Sequence, residues 1–161
     1  MRRERQKEIQ EPLMLVMPVK PGQTEALKAA LNALAEPEAA KELEDKLDKV
    51  GTVHSTRFVV LEEDEWAKLI VIALYDGTVR DYIAAFAREL DKQFNFLFRF
   101  IEDTPDKPSS PVSKDVDRFV EYVENRDVKP ANKQTYSAYP GLTALDVYEA
   151  TRPLNDGAPT P

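Results

Sequence analysis

The chain has 161 residues, of which 42% are hydrophobic and 32% charged, and its formal net charge is -7 at pH 7. This length and apolar content suit one domain with a single core. The acidic balance argues against a nucleic-acid groove or an anionic membrane surface, because both favour a basic protein. The chain contains no cysteine, which excludes disulfides, thiolate nucleophiles and cysteine-ligated metal sites.

Composition divides the chain into three segments. Residues 1–11 form a charged leader, residues 12–152 form one α+β domain, and residues 153–161 form a flexible, Pro-rich tail. The leader precedes no apolar stretch that resembles a signal peptide. The longest apolar run, at 69–75, is too short to cross a bilayer. We therefore expect a cytoplasmic protein.

The first half of the domain is predicted as a strand, two helical segments and a hairpin. An apolar run at 13–19, bounded by prolines, predicts a strand. The apolar spacing from residue 23 is helical, is interrupted by Pro37, and resumes over 39–50 before Gly51. Residues 52–61 and 67–75 are rich in β-branched side chains and flank an acidic turn, 62–65. They predict an antiparallel hairpin with a loop longer than the tightest kind.

The second half is predicted as two helices, a strand and a last short helix. Thr78 and Asp81 have the spacing of a capping box, and an apolar helical stripe continues from there to residue 101. After a Pro-rich loop, an inserted helix is expected over 110–125, with Pro111 at its first position. Residues 135–139 predict a fourth strand, and Thr143 to Asp146 predict another helix cap.

This order predicts a ferredoxin-like antiparallel sheet with helices on one face and an inserted extra helix. Such a sheet should alternate apolar and polar residues, yet consecutive residues of the 69–75 run are all apolar, as are those of the first strand. The uncovered face would be an unusually large apolar patch for a monomer. A twofold homodimer pairing sheet to sheet covers it most simply. In the alternative, the inserted helix folds across this face.

Several motifs carry a resemblance to known proteins. Residues 51–61, then Tyr75-Asp76-Gly77 and Asp81-Tyr82-Ile83, together with 17–22 and 139–143, resemble uncharacterised proteins of the dimeric α+β barrel superfamily. The resemblance implies a dimeric α+β barrel with a pocket between sheet and helices. The superfamily includes small monooxygenases, haem-dependent chlorite dismutases, dye-decolourising peroxidases and binding modules.

Candidate site residues cluster in the predicted hairpin. His54 is the only histidine, so it alone can be a histidine acid, base or haem ligand, although a hydrogen-bonded structural role is the alternative. Arg57 is costly to bury without an anion; Asp76 is its expected ion-pair partner, and an anionic ligand is the other possibility. Alternation puts His54 on the same face of its strand as Thr56. Aromatic residues suited to a ligand cavity, or alternatively to a core or interface, are Phe58, Tyr75, Tyr82 and Tyr139.

The leading hypothesis is a homodimeric, non-catalytic or accessory binding module that recognises an apolar small molecule or a protein partner. The first alternative is a cofactor-independent, oxygenase-like enzyme that uses His54 and Arg57 in a pocket between sheet and helices. The second alternative is a haem-associated protein. We predict no bound metal, because no zinc or calcium pattern occurs.

Overall fold

The computed structural model describes residues 9–129 and 136–155, the second range with side chains through Thr151. The fold is α+β, as the sequence predicts. No helix within these ranges is long and apolar enough to cross a membrane. The elements in chain order are β1 (Glu11–Pro18), α1 (Thr24–Leu34), α2 (Pro37–Val50), β2 (Val53–Glu63), β3 (Trp66–Tyr75), α3 (Val79–Glu89), α4 (Asp91–Phe98), a 3-10 turn (Val112–Lys114), α5 (Val116–Arg126) and α6 (Ala144–Asn155).

The described strands form one antiparallel sheet in the order β1-β3-β2. The predicted β2–β3 hairpin is confirmed, but its loop is shorter than predicted. Glu63 pairs with Trp66, so Asp64 and Glu65 alone form the turn. Glu62 and Glu63 extend β2, because their side chains are exposed to water while their backbone groups pair with Ala67 and Trp66.

The predicted fourth strand is wrong for its described residues. Residues 136–139 are coil and bend that lead into the turn at Pro140 and Gly141, and Thr135 lies outside the described range. Tyr136 is 91% exposed. An aromatic residue favours a strand because it packs on a half-buried sheet, and Tyr136 has no such packing. The outer edge of β1 carries two isolated antiparallel bridges, Val19 with Ile101 and Leu15 with Asp127.

The predicted long helix after Thr78 is two helices. The cap is confirmed, because the Thr78 hydroxyl accepts a hydrogen bond from Asp81 N at 3.1 Å. The helix breaks at Leu90, whose backbone leaves the helical region at φ -117° and ψ 21°. The apolar stripe hides this break, because Leu90 is itself buried and both helices face one core.

The inserted helix begins later than predicted and lies on the helix side of the sheet. Pro111 precedes a 3-10 turn, and α5 starts at Val116, where the Asp115 carboxylate accepts from Arg118 N. Phe119 packs edge-on against Phe94 and Phe98 of α4. The alternative that this helix covers the other sheet face is therefore wrong.

The two faces of the sheet have different surroundings. One face carries Leu15, Leu69 and Val71 into the core, where they are 6% exposed or less. The other, which we call the open face, has no described helix packed across it. Ile70 is buried on this face at 8% exposure, whereas Ile72 is 41% exposed. The side chains that alternation places on it are Pro12, Met14, Val16, Pro18, Ser55, Arg57, Val59, Leu61, Glu63, Trp66, Lys68, Ile70, Ile72 and Leu74.

Candidate functional site

The carboxylate of Asp76 joins four segments of the chain at one end of the sheet. Its Oδ1 accepts hydrogen bonds from His54 Nε2 at 2.7 Å and from the backbone N of Gln10 at 3.0 Å. Its Oδ2 accepts from the backbone N of Ala144 at 2.7 Å. Asp76 is buried, so these donors replace the water that a carboxylate requires. The cluster ties β2, β3, the start of β1 and the start of α6 together.

His54 reaches this junction through a β-bulge. Val53 pairs with Tyr75 and Ser55 pairs with Leu74, which leaves His54 as the extra residue on β2. A bulge redirects its side chain from simple alternation, and the imidazole is only 4% exposed. Since a carboxylate has no proton to donate, Nε2 carries the hydrogen of the bond to Asp76. No residue type or spacing within residues 52–56 indicates a bulge, so the sequence did not predict it.

Arg57 does not share the site of His54. It lies on the open face and is exposed, and no ion pair involving it occurs among the described residues. The expected pair between Arg57 and Asp76 is therefore wrong. The bulge at His54 lies nearer to Asp76 than Arg57 does along β2. The histidine, rather than the arginine, therefore hydrogen-bonds to the carboxylate.

The candidate aromatic residues separate into three places. Tyr75 and Tyr82 stack with ring centroids 4.2 Å apart inside the core. Burial, and then the adjacent Tyr75, raises the pKa of Tyr82 well above its usual range. Tyr139 lies outside the core, where its ring is exposed and its carbonyl accepts from Gln10 Nε2. Phe58 lines a separate cavity between sheet and helices.

That cavity is small and is lined mainly by apolar side chains. Its volume is about 20 Å³, which is room for a single water molecule. The hydroxyl of Thr56 on its wall is buried and has no hydrogen-bond partner among the described residues. The side chains around it come from α1 to α4, from Leu90 between α3 and α4, and from β2 and β3. They are Leu34, Leu43, Leu47, Thr56, Phe58, Val71, Phe86, Leu90, Gln93, Phe94 and Leu97.

The described residues after 135, which we call the C-terminal arm (136–155), attach to the domain at the start of α6. Gln10 Nε2 donates to the carbonyls of Tyr139 and Leu142, both at 3.1 Å. Thr143 and Asp146 form the predicted helix cap, in which Thr143 Oγ1 accepts from Asp146 N at 3.1 Å. Helix α6 then runs to Asn155, three residues into the segment that composition predicts as a tail.

A polar cluster around Arg126 went unrecognised in the sequence. Its guanidinium donates to both carboxylate oxygens of Asp106 and to Thr104 Oγ1, and stacks 3.9 Å from the Tyr122 ring centroid. The hydrogen bonds from Arg126 hold the pKa of Asp106 well below its usual range. Burial raises the pKa of Tyr122 to about 12. The cluster connects the 104–107 loop to α5. Arg126 and Asp106 are 20 residues apart in the chain, so their pairing could not be predicted from local sequence patterns.

Comparison with known proteins identifies no relative of this chain. No protein-family model matches the chain, and no significant match occurs among curated proteins or solved structures. Within residues 9–129 and 136–155, no three histidine, aspartate or glutamate side chains gather as a metal site would require. The Asp76 junction, the small apolar cavity and the open face are the features on which the proposal below is argued.

Proposed function

We propose that the protein is a homodimeric, non-catalytic binding module whose open face pairs with a second copy. The observation that carries this proposal is a row of side chains across the middle of that face. Ile72 on the central strand pairs with Met14 on one side and Arg57 on the other. Ile72 is 41% exposed and Met14 is 37% exposed. Exposed apolar side chains in the middle of a sheet, with a charged residue at their edge, are typical of an interface.

The sheet order supports the dimeric α+β barrel that the sequence resemblance implies. Ferredoxin-like sheets place their third strand between the first two, as in the order β1-β3-β2 here. The bridge between Leu15 and Asp127 lies on the edge of β1 where a fourth strand would pair. Helices cover one face and leave the other for a second sheet, at a separation of about 10 Å.

The apolar cavity supports a small-molecule ligand for this module. Thr56 supplies one unpaired hydroxyl on a wall whose other side chains, apart from Gln93, are apolar, which suits an apolar molecule with a single polar group. Helix α2 covers the cavity through Leu43 and Leu47, which are only partly buried. Movement of α2 would enlarge the cavity with less disruption of the core than movement of α3 or α4, each of which contributes three or more buried residues.

An enzyme that uses His54 and Arg57 together is the less favoured function. His54 is 4% exposed and bonds Asp76, whereas Arg57 is exposed on the open face. A general base must reach the proton that it removes, and one substrate would have to contact both residues. The same burial argues against haem, because an axial ligand must present a free ring nitrogen to the iron.

Sedimentation equilibrium of the full chain tests the dimer. We expect a mass twice that of the chain, and we expect Ile72→Lys to give a folded monomer because it buries a charge in the interface. The matched control is Ala33→Lys, which adds the same charge to an exposed position of α1. A wild-type chain that stays monomeric at all concentrations would overturn the proposal.

Methyl NMR titration with cyclohexanol tests the ligand site. We expect shifts at Leu43 and Leu47, and weaker binding by Thr56→Val, which replaces the hydroxyl by a methyl group. Cyclohexane is the matched probe without a polar group, and the Thr56 substitution should leave its binding unchanged. Absence of any shift at the cavity methyl groups, or shifts confined to the open face, would contradict a ligand between sheet and helices.

A further inference from the structure

The C-terminal arm carries apolar side chains that the domain leaves uncovered. Leu145 is 54% exposed and Tyr148 is 47% exposed. They lie three residues apart on α6 and therefore share one face of the helix, with Glu149 beside them. Val147 is half-buried on the opposite side. The helix thus presents an apolar stripe with an acidic edge to its surroundings.

The arm does not use this stripe on its own sheet. Its described hydrogen bonds to the rest of the chain are at its start, from Gln10 and to Asp76. Leu61 on the open face is 46% exposed, and Ile72 is similarly uncovered. One chain therefore contains both an unused apolar stripe and an unused apolar face.

The charges of these two surfaces are complementary. Arg57 lies beside Ile72 on the open face, Lys68 lies nearer the hairpin, and Glu63 is the acidic residue at the hairpin end of the same face. Within residues 136–151 the arm contains two acidic residues, Asp146 and Glu149, and the next residue in the sequence is Arg152. Asp146 belongs to the helix cap, which leaves Glu149, beside the apolar stripe, as the acid available to a partner. Charge pairs at the rim of an interface select partner and register.

We infer that each C-terminal arm lies on the open face of a second copy of the chain, along β2, with Glu149 facing the partner's Arg57. This inference rests on the proposed homodimer and adds the arm to its interface. The two sheets cover each other over β1 and β3, and each exchanged arm covers β2 of the other copy. Leu145 and Tyr148 then pack on the row that contains Val59 and Leu61.

Charge exchange in the full chain tests the arm. Glu149→Arg and Arg57→Glu should each weaken the dimer about tenfold, and the double variant should recover most of that loss. The matched controls are Glu124→Arg on α5 and Arg88→Glu on α3, which make the same charge changes at exposed positions away from the open face. Sedimentation equilibrium gives the dissociation constant for each variant.

The outcomes separate this inference from the proposed function. A stable dimer that neither single variant weakens would overturn the arm exchange and leave the homodimer standing. Weakening by Arg57→Glu without recovery in the double variant would also overturn it. A wild-type monomer would overturn both proposals.

Cysteine cross-linking distinguishes a partner's arm from the chain's own, because the chain has no native cysteine. A chain carrying Arg57→Cys is mixed with a differently tagged chain carrying Glu149→Cys and oxidised. We expect a disulfide between the two tags. The arm inference fails if this mixed product is absent while a single chain carrying both substitutions closes a disulfide within itself.

Discussion

The helix side of the sheet and the open face are built from the same strands, but they are completed differently. On the helix side, Leu69 and Phe119 are fully buried, and aromatic contacts run from Tyr75 through α3 and α4 to α5. On the open face, Ile72 remains 41% exposed although it lies in the central strand. Apolar residues on both faces are typical of strands buried on both sides. This difference is the basis of the proposed homodimer, in which a second copy supplies the cover of the open face.

The largest effect is expected from a truncation in the helix-side core. Phe119→Ala should lower the free energy of unfolding by about 3–5 kcal/mol, because it leaves a cavity between α4 and α5. Met14→Ala on the open face should cost less than about 0.5 kcal/mol when both are measured in the monomeric Ile72→Lys background. Urea denaturation gives both values. Equal costs would remove the distinction between the two faces.

A smaller loss is expected at the junction that holds the arm. Asp76→Asn replaces one acceptor oxygen by a donor group facing the donors of His54, Gln10 and Ala144. The free energy of unfolding should fall by about 1–3 kcal/mol, and amide exchange at Ala144 should accelerate. Asp64→Asn in the exposed hairpin turn is the control and should change neither. Unchanged exchange at Ala144 would mean that Asp76 does not anchor α6.

A gain in stability is expected at the cavity wall. Thr56→Val removes the unpaired buried hydroxyl while preserving shape and β-propensity, so the free energy of unfolding should rise by about 1 kcal/mol. Thr56→Ser keeps the hydroxyl and should bring no such gain. A loss of stability in the valine variant would indicate that the hydroxyl has a partner, such as a buried water.

The smallest effect is expected on the stability of the fold in acid, through Asp106. The folded-state pKa of Asp106 is lowered, mainly by hydrogen bonds from Arg126, so the carboxylate stabilises the fold above the ordinary aspartate pKa of about 3.9. That contribution is lost as pH falls from there through the lowered pKa. Asp106→Asn should therefore flatten the dependence of the urea midpoint on pH below about pH 4. A slope identical to that of the wild type would show that Arg126 gives Asp106 no net stabilisation.

Local signals in the sequence were sufficient for much of the fold. The hairpin, the interruption at Pro37 and the caps at Thr78 and Thr143 follow from residues that are close together in the chain. The break at Leu90 could not be predicted, because a buried residue continues the apolar stripe across it. The absence of a strand at 136–139 depends on whether a sheet edge is available, which residue propensities do not report.

The candidate site was less predictable than the fold, because its contacts join residues that are distant in the chain. Alternation predicted that Thr56 and Phe58 share one face of β2 and that Arg57 lies on the other, but it did not predict the bulge at His54 or the contact of His54 with Asp76. The pairing of Arg126 with Asp106 depends on the position of a loop relative to α5. Such contacts are tertiary, and no periodicity in the sequence encodes them. The apolar character of both sheet faces, by contrast, can be predicted from residues 69–75 alone.

The most direct test of the central claim is sedimentation equilibrium of the wild-type chain beside Ile72→Lys. The account predicts a dimer for the wild type and a folded monomer for the variant, with the far-ultraviolet circular dichroism of the two chains alike. A wild-type monomer with the same spectrum would contradict it, as would a variant dimer as tight as the wild type.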